Sequence, residues 1–352
     1  MIIPARNEAE NLPALFQSLK NQKYSNFEII LIDDRSEDNS LDLMKSFQKE
    51  TDFKVKVIEN KDSPGTTNPK VNVLLKGISL AEGELYFFTD ADCIAGENWI
   101  NSLSAPFSDN HTGIVCGFLS LTSDSSPLCL FQNFDHFYRM LYGFGAIGLG
   151  IPVGCFGNNL AIRRETYLET GGYEELLHSA TEDAELIGRV KKAGNYAVRA
   201  LFSRETFIET LPENSWKEHT NQAVRWAAGA VFSTDVLARV TIAALMLIDA
   251  LCLLGLLLGF IIHPTFFILP VLMYSFLYAS SIVFGLVGSV NPAYWKGLFI
   301  SVLLYPIIYI KSFIITIITR KINWKGTILS WKHEKKKDNI VADNAGAKHS
   351  SD

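Results

Sequence analysis

Blocks of apolar and polar residues alternate along the first two thirds of the chain, with spacings typical of strands and helices in turn. Residues 27–32 are almost continuously apolar and end at two aspartates, as expected for a parallel strand buried on both faces. Further strands are predicted at 54–59 and 84–89, and helices at 7–20, 40–49, 184–192, 214–236 and from residue 69. This alternation predicts an α/β sheet with ligands at the carboxyl ends of its strands.

After residue 235 polar residues become rare. Three apolar segments follow, at 238–262, 266–288 and 298–318, each close to the roughly 20 residues that cross a bilayer. A buried helical core is the alternative, but three such segments in succession leave almost no polar face for water. The chain is therefore expected to comprise an α/β domain over 1–235, transmembrane helices over 236–320 and a basic, disordered tail over 321–352.

One stretch before these segments has two interpretations. Phe131, Phe134, Phe137, Tyr138 and Leu141 recur at helical spacing with polar residues between them. Such an amphipathic segment could lie in a membrane interface, facing lipid. It could equally pack in the core beneath a site, and the sequence favours neither.

Charge and cysteine content exclude several classes of protein. The formal net charge of −5 argues against nucleic-acid binding as the main activity. The five cysteines are scattered and show no CxxC spacing, which indicates a reducing compartment with neither a disulfide framework nor a zinc site. Residues 1–6 lack the features of a signal peptide, and the chain is expected to open inside a strand.

Two acidic clusters are the strongest candidates for chemistry. Asp90 and Asp92 follow the strand at 84–89, and carboxylates two residues apart on an extended chain can converge on one hard cation. Glu182 and Asp183 open a predicted helix, where the helix dipole tolerates negative charge. Acids at such positions are often only caps. Together, however, they suit a metal that holds phosphates and a base that activates a hydroxyl, as sugar transfer from a nucleoside diphosphate requires.

A third candidate group lies on the helix predicted at 214–236. Gln222, Arg225 and Trp226 share one face of it. An arginine fork suits phosphate oxygens, and a tryptophan offers a flat surface for a sugar ring. The alternative is an aromatic and basic anchor at a membrane border.

Five short motifs, taken in order, resemble the family-2 glycosyltransferases with the GT-A fold. They are Pro4-Ala5-Arg6-Asn7-Glu8, Asp33-Asp34-Arg35-Ser36-Glu37-Asp38, Thr89-Asp90-Ala91-Asp92, Thr181-Glu182-Asp183 and Gln222-Ala223-Val224-Arg225-Trp226. The resemblance is to the membrane-integrated branch, which includes ceramide glucosyltransferases and cellulose, chitin and hyaluronan synthases. It implies a mixed Rossmann-like catalytic sheet followed by transmembrane helices, and an inverting reaction.

The resemblance also implies roles for individual residues. Asp183 would be the catalytic base, and Asp90 and Asp92 would hold Mg²⁺ or Mn²⁺. The acceptor would contact Glu182, Gln222 and Trp226. The nucleotide sugar, most simply a UDP-sugar, would contact Pro4, Ala5, Glu8, Asp33, Asp34, Lys70, Asp90 and Arg225.

The expected location is a cell membrane, with several crossings and a cytosolic catalytic domain, because nucleotide sugars are cytosolic. Three full crossings would place Arg320 and Lys321 on the outer side, against the positive-inside tendency. Two explanations stay open: one apolar segment is re-entrant or interfacial, for which 264–290 is a candidate, or another span precedes the chain, which would alter nothing downstream. Asp249 lies within the first segment and is expected to face protein or the acceptor path.

Transfer of one sugar to a lipid or glycan acceptor is the leading hypothesis. A processive polysaccharide synthase of the same family is the first alternative, although three helices offer few walls for a polymer channel. A sugar nucleotidyltransferase would need a glycine-rich phosphate loop where residues 4–8 stand. A membrane scaffold or transporter with an inactive domain is disfavoured by the intact acidic motifs.

Overall fold

The structure is a computed structural model and describes residues 1–62, 68–122, 126–174, 176, 179–288, 293–324 and 327–330. The strands β1 to β12 are Ile2–Ala5, Glu28–Asp34, Lys54–Asn60, Leu85–Phe88, Ile94–Ala95, Thr112–Gly117, Leu119–Leu121, Leu160–Arg163, Ala197–Leu201, Ile208–Thr210, Lys321–Trp324 and Thr327–Ser330. The helices α1 to α11 are Leu12–Lys20, Ser40–Glu50, Pro69–Ser79, Trp99–Ser104, Pro127–Gly148, Arg164–Glu169, Glu182–Ala193, Trp216–Val231, Val236–Ile261, Ile268–Gly288 and Ala293–Thr319.

Seven strands form the main sheet, in the order β3-β2-β1-β4-β8-β6-β9. Neighbouring strands are parallel except at β8, which runs antiparallel to β4 and β6. Every residue of β2 from Ile29 to Asp34 is buried, as expected for a strand covered on both faces. The predicted fold class is confirmed, since a mixed α/β sheet precedes three long apolar helices.

The sheet brings the acidic motifs together. Strands β2, β1 and β4 are parallel neighbours, so their carboxyl ends meet at one edge. A second sheet has the order β5-β10-β7. Its strand β5 follows β4 in the chain, directly after the loop that carries Asp90 and Asp92. The second sheet supplies Thr210, whose hydroxyl donates a hydrogen bond to Asp92 Oδ2 at 3.1 Å. The loop that carries Asp90 and Asp92 is thus held by both sheets.

Two predicted helix boundaries are wrong, for local reasons. Helix α1 begins at Leu12 and not at residue 7, because Asn7 has a φ of 55° and lies in a loop. The helix predicted over 214–236 is broken after Val231. Glu185 accepts a hydrogen bond from the Thr234 backbone N–H at 2.9 Å, and Asp235 caps α9. These contacts stabilise a turn between α8 and α9.

The aromatic residues of α5 are core residues, so the second interpretation of this segment is the one observed. Phe131, Phe134, Phe137 and Tyr138 are all at most 5% exposed. Phe134 and Tyr138 pack against Tyr305 of α11, whose ring centroid lies 5.9 Å from that of Phe134 and 5.1 Å from that of Tyr138. Helix α5 therefore joins the catalytic sheet to the C-terminal helices.

Phe137→Ala is expected to destabilise the protein by about 3–5 kcal/mol, the usual cost of removing a buried phenylalanine. Thermal unfolding in detergent would measure the change. Leu149→Ala is the matched control, because Leu149 is 78% exposed and its replacement should have little effect. Equal unfolding temperatures for the two variants would contradict a core role for α5.

Among the residues that the structure describes, three helices are long and apolar enough to cross a membrane, by length and composition. They correspond to Val236–Ile261, Pro264–Val283 and Lys296–Thr319. Pro306 lies inside α11 and cannot donate to the carbonyl of Val302. The Tyr274 hydroxyl of α10 donates to that carbonyl at 2.7 Å. This contact compensates for the missing helical bond and ties α10 to α11.

Asp249 of α9 faces protein, as predicted. It is 7% exposed and borders a cavity of about 20 Å³ shared with Tyr138 and Tyr309. After α11, β11 and β12 pair as an antiparallel hairpin at the start of the tail predicted over 321–352. Residues 331–352 and the connection at 289–292 lie outside the described residues, and the expectation of a disordered tail remains a prediction.

Candidate active site

A cavity of about 330 Å³ opens at the carboxyl edge of the main sheet. Every residue predicted for the site lines it, with the single exception of Asp33. These lining residues are Pro4, Ala5, Glu8, Asp34, Lys70, Asp90, Asp92, Glu182, Asp183, Gln222, Arg225 and Trp226. The structure therefore unites motifs that are spread over more than two hundred residues of sequence.

The first two motifs form one interlocked pair of loops. Asn7 and Arg35 both adopt left-handed backbone conformations, with φ of 55° and 58°. The Asn7 N–H donates to Ser36 Oγ at 3.0 Å, and Asn7 Oδ1 accepts from the Glu37 N–H at 2.8 Å. The Glu8 N–H donates to Ser40 Oγ at 2.8 Å. These bonds explain why the two motifs act together: each loop fixes the conformation of the other.

The side chains of Asp33 and Asp34 have different environments, because successive side chains of a strand point to opposite faces. Asp34 lines the cavity and accepts hydrogen bonds from Asn60 Nδ2 at 2.8 Å and from the Arg35 guanidinium at 2.9 and 3.0 Å. Asp33 is buried, and its Oδ2 accepts from the Ser36 N–H at 3.3 Å. Asp33 therefore shapes the loop, and Asp34 is the one available to a ligand.

Lys70 lies between the two acidic clusters. Its Nζ is 2.7 Å from Asp90 Oδ1 and 3.7 Å from Glu182 Oε1. Burial alone would lower the pKa of Lys70, but Asp90, Glu182 and Asp183 together raise it above its ordinary value. Asn68, the N-cap of α3, donates to Glu182 Oε2 at 3.2 Å. Glu182 is thus tied to the lysine side of the cavity, whereas the sequence assigned it to the acceptor.

Asp92 has the environment of a carboxylate that binds a cation. Burial, followed by the charges of Asp90 and Glu8, raises the pKa of Asp92 to about 6. Among the described residues, no group of three His, Cys, Asp or Glu side chains could hold a metal by itself. Mg²⁺ commonly binds through one or two carboxylates, with substrate phosphates and water completing its shell. The Asp90 and Asp92 oxygens fit a cation of that kind.

Asp183 lies at the first turn of α7 and is held through both carboxylate oxygens. Oδ2 accepts from the Gly157 N–H at 2.7 Å, and Oδ1 accepts from the Ala184 N–H at 2.8 Å. Burial and the neighbouring Glu182 raise the pKa of Asp183 to about 6, while Lys70 and Arg225 oppose the shift. A fixed carboxylate with a pKa near neutrality is suited to take a proton from an acceptor.

Gly157→Ala is expected to lower turnover by up to about a hundredfold, the effect of misplacing a catalytic group by 1 Å. A Cβ at Gly157 would lie 2.8 Å from Asp183 Cβ and 3.0 Å from Asp183 Oδ2, so the Asp183 side chain must move. Steady-state assays would measure kcat and KM. Gly145→Ala is the matched control, because a Cβ there meets nothing within 4 Å. Unchanged turnover in Gly157→Ala would contradict this role.

The cavity wall that contains Trp226 also carries an arginine that the sequence did not identify. Arg139 of α5 stacks on the Trp226 ring, with Cζ 4.1 Å from the centroid, and its Nε donates to Asp135 Oδ1 at 3.0 Å. The Tyr309 hydroxyl of α11 donates to Asp135 Oδ2 at 2.6 Å. Arg139 also lines the cavity. Trp226 is therefore oriented by helices α5 and α11.

Two further sets of contacts fix the position of α8 in this wall. Gln132 binds the backbone of Glu213 in both directions, at 2.9 and 2.8 Å, and Gln222 Nε2 donates to Glu213 Oε1 at 2.9 Å. A Cβ at Gly229 of α8 would lie 2.2 Å from Thr181 Oγ1. Only glycine therefore lets α8 approach the acidic segment so closely. The sequence did contain a signal for Arg139: Asp135 and Arg139 are spaced at i and i+4 among the aromatic residues of α5.

A model of glycosyl transferase family 21 matches residues 6–337. The chain belongs to this family. This match confirms the resemblance to family-2-like glycosyltransferases. The cavity-lining residues predicted from the sequence lie within the matched region, apart from Pro4 and Ala5.

Curated relatives of this family 21 member are also glycosyltransferases by description. One is "Probable glycosyltransferase YdaM" of Bacillus subtilis (strain 168), 28% identical over 234 residues, which cover 65% of this chain and 54% of YdaM. Another is "Glycosyltransferase GlyG" of Streptococcus pneumoniae serotype 4, 32% identical over 117 residues, covering 33% of this chain and 37% of GlyG. The chain thus spans about half the length of YdaM and about a third of that of GlyG.

Among solved structures, residues 1–349 of Staphylococcus aureus TarS in complex with UDP are similar to the family 21 chain. The TM-score is 0.44 at 16% sequence identity, covering 68% of this chain and 67% of that one.

Proposed function

We propose that this glycosyltransferase moves a sugar from a nucleoside diphosphate sugar, most simply a UDP-sugar, to a hydroxyl of a lipid or glycan acceptor. The observation that carries the proposal is the convergence of Asp34, Lys70, Asp92, Asp183 and Arg225 on one cavity. Cationic side chains and a cation-binding acid stabilise a diphosphate, and a separate carboxylate serves the acceptor. The cavity therefore contains groups for departure of the diphosphate and for activation of the acceptor hydroxyl.

The donor is bound at the sheet edge in this proposal. Pro4, Ala5, Glu8 and Asp34 contact the nucleoside, Asp34 being the residue that the strand directs into the cavity. Lys70 and Arg225 contact the diphosphate. Asp90 and Asp92 hold Mg²⁺ or Mn²⁺, which supplies Lewis acidity at the departing diphosphate when bound. Lys70 also fixes the position of the Asp90 side chain, since the two form an ion pair at 2.7 Å.

Asp183 is the base that removes the acceptor proton as the glycosidic bond forms. Its hydrogen bonds to Gly157 and Ala184 fix its direction before the acceptor binds. The adjacent acid, Glu182, is engaged by Lys70 and Asn68 and is not placed as a nucleophile. One base and no covalent intermediate give inversion at the anomeric carbon.

The acceptor enters from the membrane side. Ala238 and Ile242 of α9 line the cavity, so one wall is the beginning of an apolar helix long enough to span a bilayer. The Trp226 ring, which stacks against the Arg139 guanidinium, offers a surface for a sugar already on the acceptor. These features favour an acceptor hydroxyl presented at the cytosolic surface of a cell membrane, with the catalytic domain in the cytosol.

We expect kcat/KM to rise with pH to a plateau, with its midpoint near the Asp183 pKa of about 6. Asp183 accepts a proton only when ionised, and its raised pKa places that ionisation just below neutrality. A pH profile from about 5 to 8 at saturating cation would measure it. A flat profile over this range would show that Asp183 does not act as the base.

The proposed function is tested with a panel of nucleotide sugars and purified full-length protein in detergent or membrane vesicles. Release of the nucleoside diphosphate is the readout. The proposal expects release from at least one UDP-sugar, stimulated by lipid or glycan acceptors. No release from any nucleotide sugar, with or without acceptor, would refute it. The product also separates the alternatives: one sugar per acceptor, or a ladder from a processive synthase.

A further inference from the structure

A small cavity adjoins the active-site cavity, among helices α5, α8, α9 and α11. It has a volume of about 20 Å³, and its lining includes Tyr138, Arg139, Trp226, Ile242 and Asp249. Arg139, Trp226 and Ile242 line the active-site cavity as well. The two cavities therefore have these side chains as a common wall. We call the smaller one the inner cavity.

One face of α9 leads from the active-site cavity to the inner cavity. Ala238 and Ile242 line the active-site cavity, and Ile242, Met246 and Asp249 line the inner one. Spacings of three and four residues place these side chains on the same face of the helix. Asp249 lies seven residues beyond Ile242, which is roughly 10 Å along the helix axis. An elongated ligand that follows this face from the active site would therefore reach Asp249.

Two polar groups of the inner cavity are buried without a hydrogen-bond partner. Asp249 is 7% exposed, and its Oδ2 has no partner among the residues that the structure describes. The same is true of the Tyr138 hydroxyl within the described chain. Burial of a polar group without a hydrogen bond costs free energy, and the cost is larger for a carboxylate. An acid in the middle of a long apolar helix is therefore a candidate for a ligand contact.

The nearby arginine already has other partners. Arg139 Nε donates to Asp135 Oδ1 at 3.0 Å. Its Cζ lies 4.1 Å from the centroid of the Trp226 ring and 4.7 Å from that of the Tyr309 ring. The guanidinium is thus held between two rings and paired with Asp135. Asp249 Oδ2 consequently has an acceptor position available for a hydrogen-bond donor from a ligand.

We propose that the inner cavity is a subsite for a hydroxyl group on the apolar chain of a lipid acceptor, separate from the hydroxyl that receives the sugar. A hydroxyl can donate to Asp249 and accept from Tyr138 at the same time, which matches the two unpartnered groups. The volume suits one such group, since a cavity of roughly 10–15 Å³ holds a single water molecule.

The rest of the lining fits the chain that carries this hydroxyl. Apolar side chains surround the two polar groups: Ala227, Ile242, Leu245, Met246 and Phe313. The subsite would select acceptors by a feature about 10 Å or more from the reacting hydroxyl, given the separation of Ile242 and Asp249 along α9. The inference rests on the proposed function for its statement that the bound lipid is an acceptor.

Binding of defined lipids tests the subsite without relying on turnover. Full-length protein in detergent is mixed with equal amounts of dipalmitoylglycerol and of analogues that carry one additional hydroxyl at successive positions along one acyl chain. Mass spectrometry of the protein–lipid complexes measures how much of each lipid is retained. We expect the native protein to retain one hydroxylated analogue about tenfold more than dipalmitoylglycerol, as a hydrogen bond to a carboxylate allows.

Three variants assign this preference to the inner cavity. Asp249→Leu keeps a side chain of similar size without an acceptor and should retain all the lipids equally. Tyr138→Phe removes only the hydroxyl and should reduce the preference severalfold, which also provides a test if Asp249→Leu does not fold. Leu247→Ala is the matched control on the same helix, because Leu247 is 59% exposed and lines neither cavity. It should keep the full preference.

Equal retention of all the lipids by the native protein would overturn the proposal, because the inner cavity would then take a water molecule only. An unchanged preference in Asp249→Leu or in Tyr138→Phe would also overturn it. The outcome is distinct from that of the proposed function. A preference without release of UDP from any nucleotide sugar leaves the subsite standing and the proposed function refuted. Sugar transfer to a lipid without any preference gives the reverse.

Discussion

Asp92→Ala is expected to abolish turnover, and removal of divalent cations should do the same to the native protein. The departing diphosphate concentrates negative charge, and a bound cation stabilises that charge by several kcal/mol, which is about three orders of magnitude or more in rate. Burial, followed by the charges of Asp90 and Glu8, raises the pKa of Asp92 to about 6. Activity with and without excess EDTA would measure the effect.

Two controls make this prediction specific. Asp109→Ala removes a surface aspartate that pairs with Arg199 outside the cavity and should leave turnover unchanged. Mg²⁺ and Mn²⁺ should each restore activity after EDTA, because the ligands are oxygens. Full activity in excess EDTA, or in Asp92→Ala, would contradict the assignment of this pair to a metal.

Asp183→Asn is expected to lower turnover by roughly two to four orders of magnitude, the range for losing a general base. Asparagine keeps the shape and can still accept the Gly157 hydrogen bond through its oxygen. It cannot remove a proton from the acceptor. Binding of the nucleotide sugar should therefore be nearly unchanged, which equilibrium binding of the donor in the absence of acceptor would show.

Glu182→Gln is the informative companion to this variant. Glu182 faces Lys70 and Asn68, so its replacement should raise the KM for the donor more than it lowers kcat. The assignment of the two acids would be contradicted if Glu182→Gln mainly lowered kcat and Asp183→Asn mainly raised the KM for the donor. If Asp183→Asn lost donor binding yet kept its rate per bound donor, Asp183 would be a nucleotide ligand.

The sequence was sufficient for the parts of the fold that depend on local pattern. Strand β2 is recognisable because burial on both faces leaves a continuous apolar run, and acids at the ends of parallel neighbours must meet at one edge. That reasoning located Asp34, Asp90 and Asp92 correctly. It overlooked strand alternation, which allows only one of Asp33 and Asp34 to face the cavity.

The remaining features depend on contacts between distant segments. The stacking of Arg139 on Trp226 joins α5 to α8, and the Tyr309 bond to Asp135 joins α5 to α11. Nothing in the local spacing of either partner specifies the other. The same holds for α11, whose composition alone resembles a transmembrane helix. Only its packing shows that Tyr309 and Thr316 bond to α5 and α8.

The central claim is a single displacement in which Asp183 activates the acceptor hydroxyl, and the anomeric configuration of the first product tests it most directly. Proton NMR of the product formed from an α-linked UDP-sugar, read before any anomeric exchange, gives the answer in one measurement. A β-linked product is expected from the native protein, and Asp183→Asn should form it at least about a hundredfold more slowly. An α-linked product would contradict it, because retention requires a second displacement that this site is not built to perform.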